Sequence, residues 1–171
     1  APVMVSCEEQ NWMTAEANMN REHFVYEKSI RLNVTNETLE DKKILVKWAL
    51  RNADASVVKA EEREVTVPAL SSVWLDKEEY PDVDVFGQYV SYEAWEGDTC
   101  ISEGSVIFSY PKYFHYLDPQ LSYRIEGDEI VVSAKAYAKG VEILNLSEDL
   151  ILSDNYFDMS AGEKRVKILG K

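Results

Sequence analysis

Thirty-one Asp and Glu residues in a chain of 171 put carboxylate chemistry first among what this sequence could do. Two carboxylates held close together can act as acid and nucleophile, or as acid and base. Adjacent pairs such as Glu61-Glu62 and Glu78-Glu79 recur by accident in so acidic a chain, and a solvated face is their ordinary explanation. His23 and His115 lie far apart in sequence, as do Cys7 and Cys100, so no finger or metalloprotease spacing for zinc exists. Neither a nucleophile elbow nor a phosphate loop occurs. The loops Asp82-Val83-Asp84 and Glu126-Gly127-Asp128-Glu129 could offer carboxylates to calcium, but they fall short of the ligand count of a known calcium loop. No cofactor is expected.

A net charge of −13 repels phosphate backbones and anionic lipid surfaces, which sets nucleic acid and membranes aside as partners. The 46% hydrophobic content is enough for packed cores, and no apolar run approaches the length of a bilayer-spanning helix. The chain opens at Ala1, already inside a strand-like run and without a charged leader, as expected of an excised fragment. Cys7 and Cys100 fall in the first and last strands of a first module, so a disulfide is conceivable; two thiols filling apolar space are the simpler reading. Three sequons, Asn33-Val34-Thr35, Asn36-Glu37-Thr38 and Asn145-Leu146-Ser147, would matter only in a eukaryotic secretory pathway.

The elements that must position these residues read as strands throughout. Ile30, Leu32 and Val34 alternate with polar neighbours, and Ile44, Val46, Trp48 and Leu50 share one face, which predicts Trp48 between two sheets. Asn52 to Ala55 turns the chain, and Val65 and Val67 point inward on the return. Residues 76–84 read as a loop between sheets. Val90, Tyr92 and Ala94 form one face of the next strand, with Tyr89, Ser91, Glu93 and Trp95 on the other. Glu96-Gly97-Asp98 and Glu126-Gly127-Asp128 are hairpin signals. Glu8 to Glu22 has no clean period and reads as a long connection with Trp12 as its anchor. Pro111 to Pro119, with two prolines and four aromatics, reads as a stiff linker with its rings packed between modules. About five strands follow, and no segment carries a helical period.

The run Asp149 to Leu169 packs an apolar strand, the corner Ser153-Asp154-Asn155-Tyr156, a turn at Ser160 to Glu163 and an alternating strand through Val166 and Ile168. This reads as a closing hairpin, with Asn155 and Tyr156 tying its loop to the next strand and the Tyr156 hydroxyl bonded to backbone, or else facing another domain.

Ser153-Asp154-Asn155-Tyr156-Phe157-Asp158, followed by the Gly-Glu turn, resembles the end of the C-terminal immunoglobulin-like module of β-mannosidases and related members of glycoside hydrolase family 2. Ala1 to Glu8, Leu32 to Thr38 and Val46 to Arg51 resemble the module that precedes it. The resemblance implies an all-β chain of two immunoglobulin-like β-sandwiches in tandem, at 1–112 and 113–171. It also implies a non-catalytic C-terminal accessory region whose partner is a catalytic (β/α)₈ barrel of the same polypeptide, which would carry both catalytic glutamates. This chain alone is then expected to be inactive, and to belong to a soluble protein of the bacterial cytoplasm or periplasm. The alternative is an independent carbohydrate-binding or adhesion module. Tyr89, Trp95 and Trp74, which point away from the core by parity, are with Asn155 and Tyr156 the candidates for contact with a neighbouring domain or with sugar.

Overall fold

A computed structural model describes residues 2–8, 26–145 and 150–170. Trp12, His23 and the connection read over Glu8 to Glu22 lie, apart from Glu8, outside these residues. The first sandwich contains β1 (Val3–Cys7), β2 (Ser29–Ile30), β3 (Leu32–Asn36), β4 (Lys42–Asn52), β5 (Val57–Val67), β6 (Ser71–Trp74), β7 (Glu78–Glu79), β8 (Gln88–Glu96) and β9 (Thr99–Ile107). One layer is the three-stranded sheet β1-β3-β6 with the short β2-β7 pair, and the other is the four-stranded sheet β5-β4-β8-β9. Every hydrogen-bonded pair is antiparallel, so each strand can show one apolar and one polar face. The apolar faces meet in a core of Val5, Val34, Ile44, Val46, Trp48, Val67, Val90 and Phe108 among others. Trp48 is 5% exposed, as its parity predicts.

Residues 76–84 are not wholly a loop, because Glu78–Glu79 pairs with Ser29–Ile30. Both hairpin signals are realised: Glu96 pairs with Thr99, and Glu126 with Glu129. Gly97 and Gly127 sit at φ +60 and +64 where each chain reverses. Glycine at the first central position matches the twist that a two-residue loop imposes on its strands. Cys7 and Cys100 are free thiols. Burial, opposed by a backbone hydrogen bond from Arg31 in one case and helped by Glu103 in the other, pushes each up to about 11.

The second sandwich contains β10 (Ser122–Glu126), β11 (Glu129–Ala134), β12 (Ala138–Val141), β13 (Ile151–Leu152), β14 (Phe157–Met159) and β15 (Gly162–Gly170). The sheet β10-β11-β15-β13 faces the two-stranded sheet β12-β14 across Ile130, Val132, Val141, Phe157 and Val166. The run Asp149 to Leu169 is therefore only partly a hairpin. β13 does pair with β15, Leu152 against Ile168. Between them Phe157 and Met159, both buried, draw the chain across to pair with β12, so Ser160 to Glu163 is a crossover between sheets and not a hairpin turn.

Candidate functional site

The outer face of β8 and β9 meets the second sandwich, and the five buried apolar residues of this junction come from both sides. Ala53, Tyr89 and Ile107 belong to the first sandwich, Phe114 to the connecting segment and Tyr137 to the second. Tyr89 stacks on Tyr137 with ring centroids 3.7 Å apart, and Phe114 meets Tyr137 edge-on at 5.8 Å. Phe114 reaches this position because a single 3-10 turn at Pro111–Tyr113 bends the segment after β9. The other linker rings are wetter: Tyr113 and Tyr116 are each 40% exposed. Backbone bonds add to the rings. Tyr137 N–H donates to the Ala53 carbonyl at 3.0 Å, and Lys135 N–H to the Pro119 carbonyl at 2.8 Å.

Polar groups ring this apolar centre. The Ser105 hydroxyl donates to Asp158 at 2.5 Å, which leaves the Tyr137 hydroxyl as the donor in its 2.6 Å contact with Ser105. Asp158 also accepts from the Lys139 ammonium and the Gly140 amide, both at 2.8 Å. Tyr89 and Ser160 hydroxyls lie 2.6 Å apart. Burial, the Asp158 charge and the neighbouring tyrosines hold the Tyr137 hydroxyl far above the usual phenol range, only partly offset by its bond to Ser105. Lys164 is paired with Glu103 across the junction and with Asp154 at 2.9 Å. Burial works against that ammonium, but the two carboxylates outweigh it and raise its pKa.

Beside the junction lies an open cleft of about 760 Å³. Arg51, Ser91, Glu103 and Ser105 line one side and Asp158 and Lys164 the other. Its side chains are largely engaged with one another: Arg51 donates to Ser91 at 2.9 Å, and Ser105, Asp158, Glu103 and Lys164 are bonded as above. The arrangement joins two sandwiches, and its hydroxyls, carboxylates and cations neutralise each other. Among the described residues no group of three or more His, Cys, Asp or Glu could hold a metal ion. Glu126 and Glu129, weighed above for calcium, bind Arg165 at 2.8 and 2.9 Å.

The residues singled out in the sequence are spread over the molecule. Tyr89 is on the outward face of β8, as its parity says, but it is 0% exposed because the second sandwich covers it. Its expected exposure is therefore corrected. Trp95, half-buried on the same face, donates its indole N–H to Glu93 at 2.7 Å and carries Lys47 4.7 Å over its ring. Trp74 is 47% exposed on the opposite layer, with the Arg31 guanidinium 4.9 Å over its ring. Asn155 ties its loop, though to the segment after β12 and not to the next strand, accepting from Ile143 N–H at 2.8 Å and donating to the Ile143 carbonyl at 3.3 Å. Tyr156 departs from the expectation. It is 67% exposed at φ +59, and its hydroxyl donates to the Glu142 carboxylate and not to backbone. Tyr137, Ser105 and Asp158 were not signalled by the alternation, because nothing within a strand's own period tells which side chains a second module covers. The sequons on β3 are structural: Asn33 and Asn36 are 7% and 1% exposed, and the Asn36 amide caps the carbonyls of Glu40, Val67 and Pro68.

A family model described as a mannosidase Ig/CBM-like domain matches residues 28–113, and one described as an Ig-fold domain of mannosidases matches residues 116–167. Among solved structures, the chain is similar to a β-D-mannosidase from Dictyoglomus thermophilum, at 17% identity and a TM-score of 0.75 over 99% of this chain and 20% of that one. It also aligns with a β-glucuronidase from Bacteroides uniformis, at 12% identity and a TM-score of 0.38 over 82% of this chain and 16% of the other. The chain thus spans about a fifth of the length of that mannosidase. A search of curated proteins found no match.

Proposed function

The chain belongs to the mannosidase Ig/CBM-like domain family, and from that premise we propose that it is a non-catalytic accessory region of a β-mannosidase-like glycoside hydrolase. In this reading the modules at 1–112 and 113–171 act as one stiff buttress against a catalytic (β/α)₈ barrel on the same polypeptide. The observation that carries it is the sealed junction. Tyr89 and Tyr137 are stacked and fully enclosed, and the surrounding hydroxyls and charges are spent on one another, as suits a load-transmitting joint better than a reaction site. Hydrolysis with retention needs two carboxylates about 5 Å apart around a vacant sugar site. Asp158, the carboxylate deepest in the junction, is instead occupied by Ser105, Lys139 and Gly140. Assayed alone on aryl β-mannosides and β-galactosides, the chain is expected to show no turnover. Turnover abolished by replacing a single glutamate of this chain would overturn the reading, as would an upstream coding sequence without a barrel.

The alternative of an independent carbohydrate-binding or adhesion module rests on the exposure of Trp74. It is the weaker reading, because Arg31 already covers one face of that ring and Lys47 one face of Trp95. Retardation of the chain in a mannan-containing native gel, lost in Trp74→Ala, would favour it.

A further inference from the structure

The hairpins at Glu96–Thr99 and Glu126–Glu129 place glycine at positive φ with polar residues beside it, as a solvated turn requires. The turn between β5 and β6 does neither. Leu70 is held at φ +50, the left-handed region in which a Cβ crowds the following carbonyl, and it is 68% exposed. Ala55, Gln120 and Tyr156 share that sign of φ, but the first is buried, the second is polar, and the hydroxyl of the third binds Glu142. Leu39, in the turn between β3 and β4, is 82% exposed.

The two turns form one built surface. Leu70 N–H donates to the Thr38 carbonyl at 3.0 Å, and Ala69 N–H to the Asp41 carboxylate at 2.9 Å. The buried Asn36 side chain clamps both turns, donating to the Glu40 and Pro68 carbonyls and accepting from Thr38 N–H at 2.9 Å. Two leucines are thus fixed in water, one of them against its own backbone preference, and neither sandwich gains from it.

The path of the chain says what meets them. Glu37 N–H donates to the Pro2 carbonyl at 2.8 Å and Val3 pairs with Asn36, so the polypeptide enters the first sandwich at this same end. On the accessory reading above, on which this inference rests, the catalytic barrel precedes this region and is joined to it through Pro2. We propose that residues 37–41 and 68–70 are the docking surface for that barrel, with Leu39 and Leu70 seated in an apolar hollow of its surface and basic groups of the barrel facing the exposed Glu37 and Glu40 at the rim. The nearest cations in sequence do not neutralise that rim, since Lys42 is paired with Glu96 at 3.0 Å and Lys43 with Glu64 at 2.9 Å. A second copy of the chain would bring like charge against it, which singles out the barrel as the occupant. Burial of the leucines there offsets the strain at Leu70.

Hydroxyl-radical footprinting of the chain alone and of the full-length polypeptide tests the assignment. Leu39 and Leu70 should label readily in the chain alone and severalfold less in the full-length polypeptide. Leu70→Gly should raise the melting temperature of the chain alone by freeing the backbone. Leu39→Asp combined with Leu70→Asp should not lower that temperature, yet should open the connection at Pro2 to protease in the full-length polypeptide. A barrel present upstream with both leucines labelled as in the chain alone would overturn this inference and leave the accessory reading standing, whereas an upstream sequence without a barrel would overturn both. Protection already seen in the chain alone and lost on dilution would assign the surface to a second copy and overturn the proposal. So would a melting temperature lowered by Leu70→Gly, because the leucine would then serve the sandwich itself.

Discussion

Trp48 and Tyr156 mark the two extremes of what one aromatic residue contributes here. Trp48 lies between the layers with Ile44, Val46 and Leu50, and its indole N–H makes no well-aligned hydrogen bond among the described residues, with the Tyr80 hydroxyl its nearby polar neighbour. Its contribution is thus one of volume, and truncating a buried indole costs about 3 to 5 kcal/mol. Trp48→Ala is expected to lower the urea midpoint by that amount or to unfold the first sandwich outright, whereas Trp48→Phe should lose much less, since no well-aligned hydrogen bond is sacrificed. Tyr156 is largely exposed, and among the described residues Glu142 holds its hydroxyl. That carboxylate, by hydrogen bond and by charge, raises the phenol pKa. Tyr156→Phe should therefore leave the denaturation midpoint unchanged; a clear loss would mean that the ring closes the sandwich after all. Tyr89→Phe falls between them. It removes the contact with Ser160 from a buried site and should cost about 0.5 to 1.5 kcal/mol by the same measurement.

At the scale of strands, alternation carried most of the fold because every strand pair here is antiparallel and faces one core, so a period of two maps directly onto burial. Ile44 to Leu50, Val65 and Val67, and Val90 to Ala94 all sit as their parity requires. The Gly-Asp hairpins were legible for a local reason, as the turn demands a residue free to adopt positive φ. A Cβ added at Gly127 would meet nothing within 4 Å, so Gly127→Ala should cost only the backbone strain, about 1 to 2 kcal/mol, read as a lower midpoint of thermal unfolding. What alternation could not supply was the destination of a strand. Phe157 and Met159 are apolar whether they continue a hairpin or cross to the opposite sheet, and only their pairing with Val141 and Ala138 decides it. The same limit hid the candidate site. Tyr89 and Trp95 have identical parity, yet one is sealed under Tyr137 and the other lies beneath a lysine, because parity names a face without naming what lies over it.

For the whole molecule, the junction packs the two sandwiches against each other, and they are expected to unfold as one unit at neutral pH and to fail together in base. Tyr137 links Tyr89 by stacking and Asp158 through Ser105, so a single unfolding transition is expected for the intact chain, and Tyr137→Ala should split it in two. The buried and half-buried acids of the two sandwiches share one sign. Burial raises Cys7 and Cys100 from 9.0 to about 11, and Tyr80 and Tyr92 from 10.0 to about 12, with Tyr137 displaced further in the same direction. In the unfolded chain these groups lose their protons near their ordinary values, so between those and the folded values the folded state holds more protons than the unfolded one. Stability must then fall as pH rises. It is fully present below about pH 9 and declines progressively between about pH 9 and 12. Urea midpoints measured at intervals from neutral to strongly alkaline pH should be level at first and then drop, and Cys7→Ser should delay the first part of the decline by removing one thiol that ionises only on unfolding. Because Tyr137 sits at the junction and Tyr80 and Tyr92 in the first sandwich, both sandwiches are expected to fail together along this curve. Midpoints that stayed level to the alkaline limit would mean that the five groups are reached by solvent in the folded chain, against the burial that defines both the core and the junction.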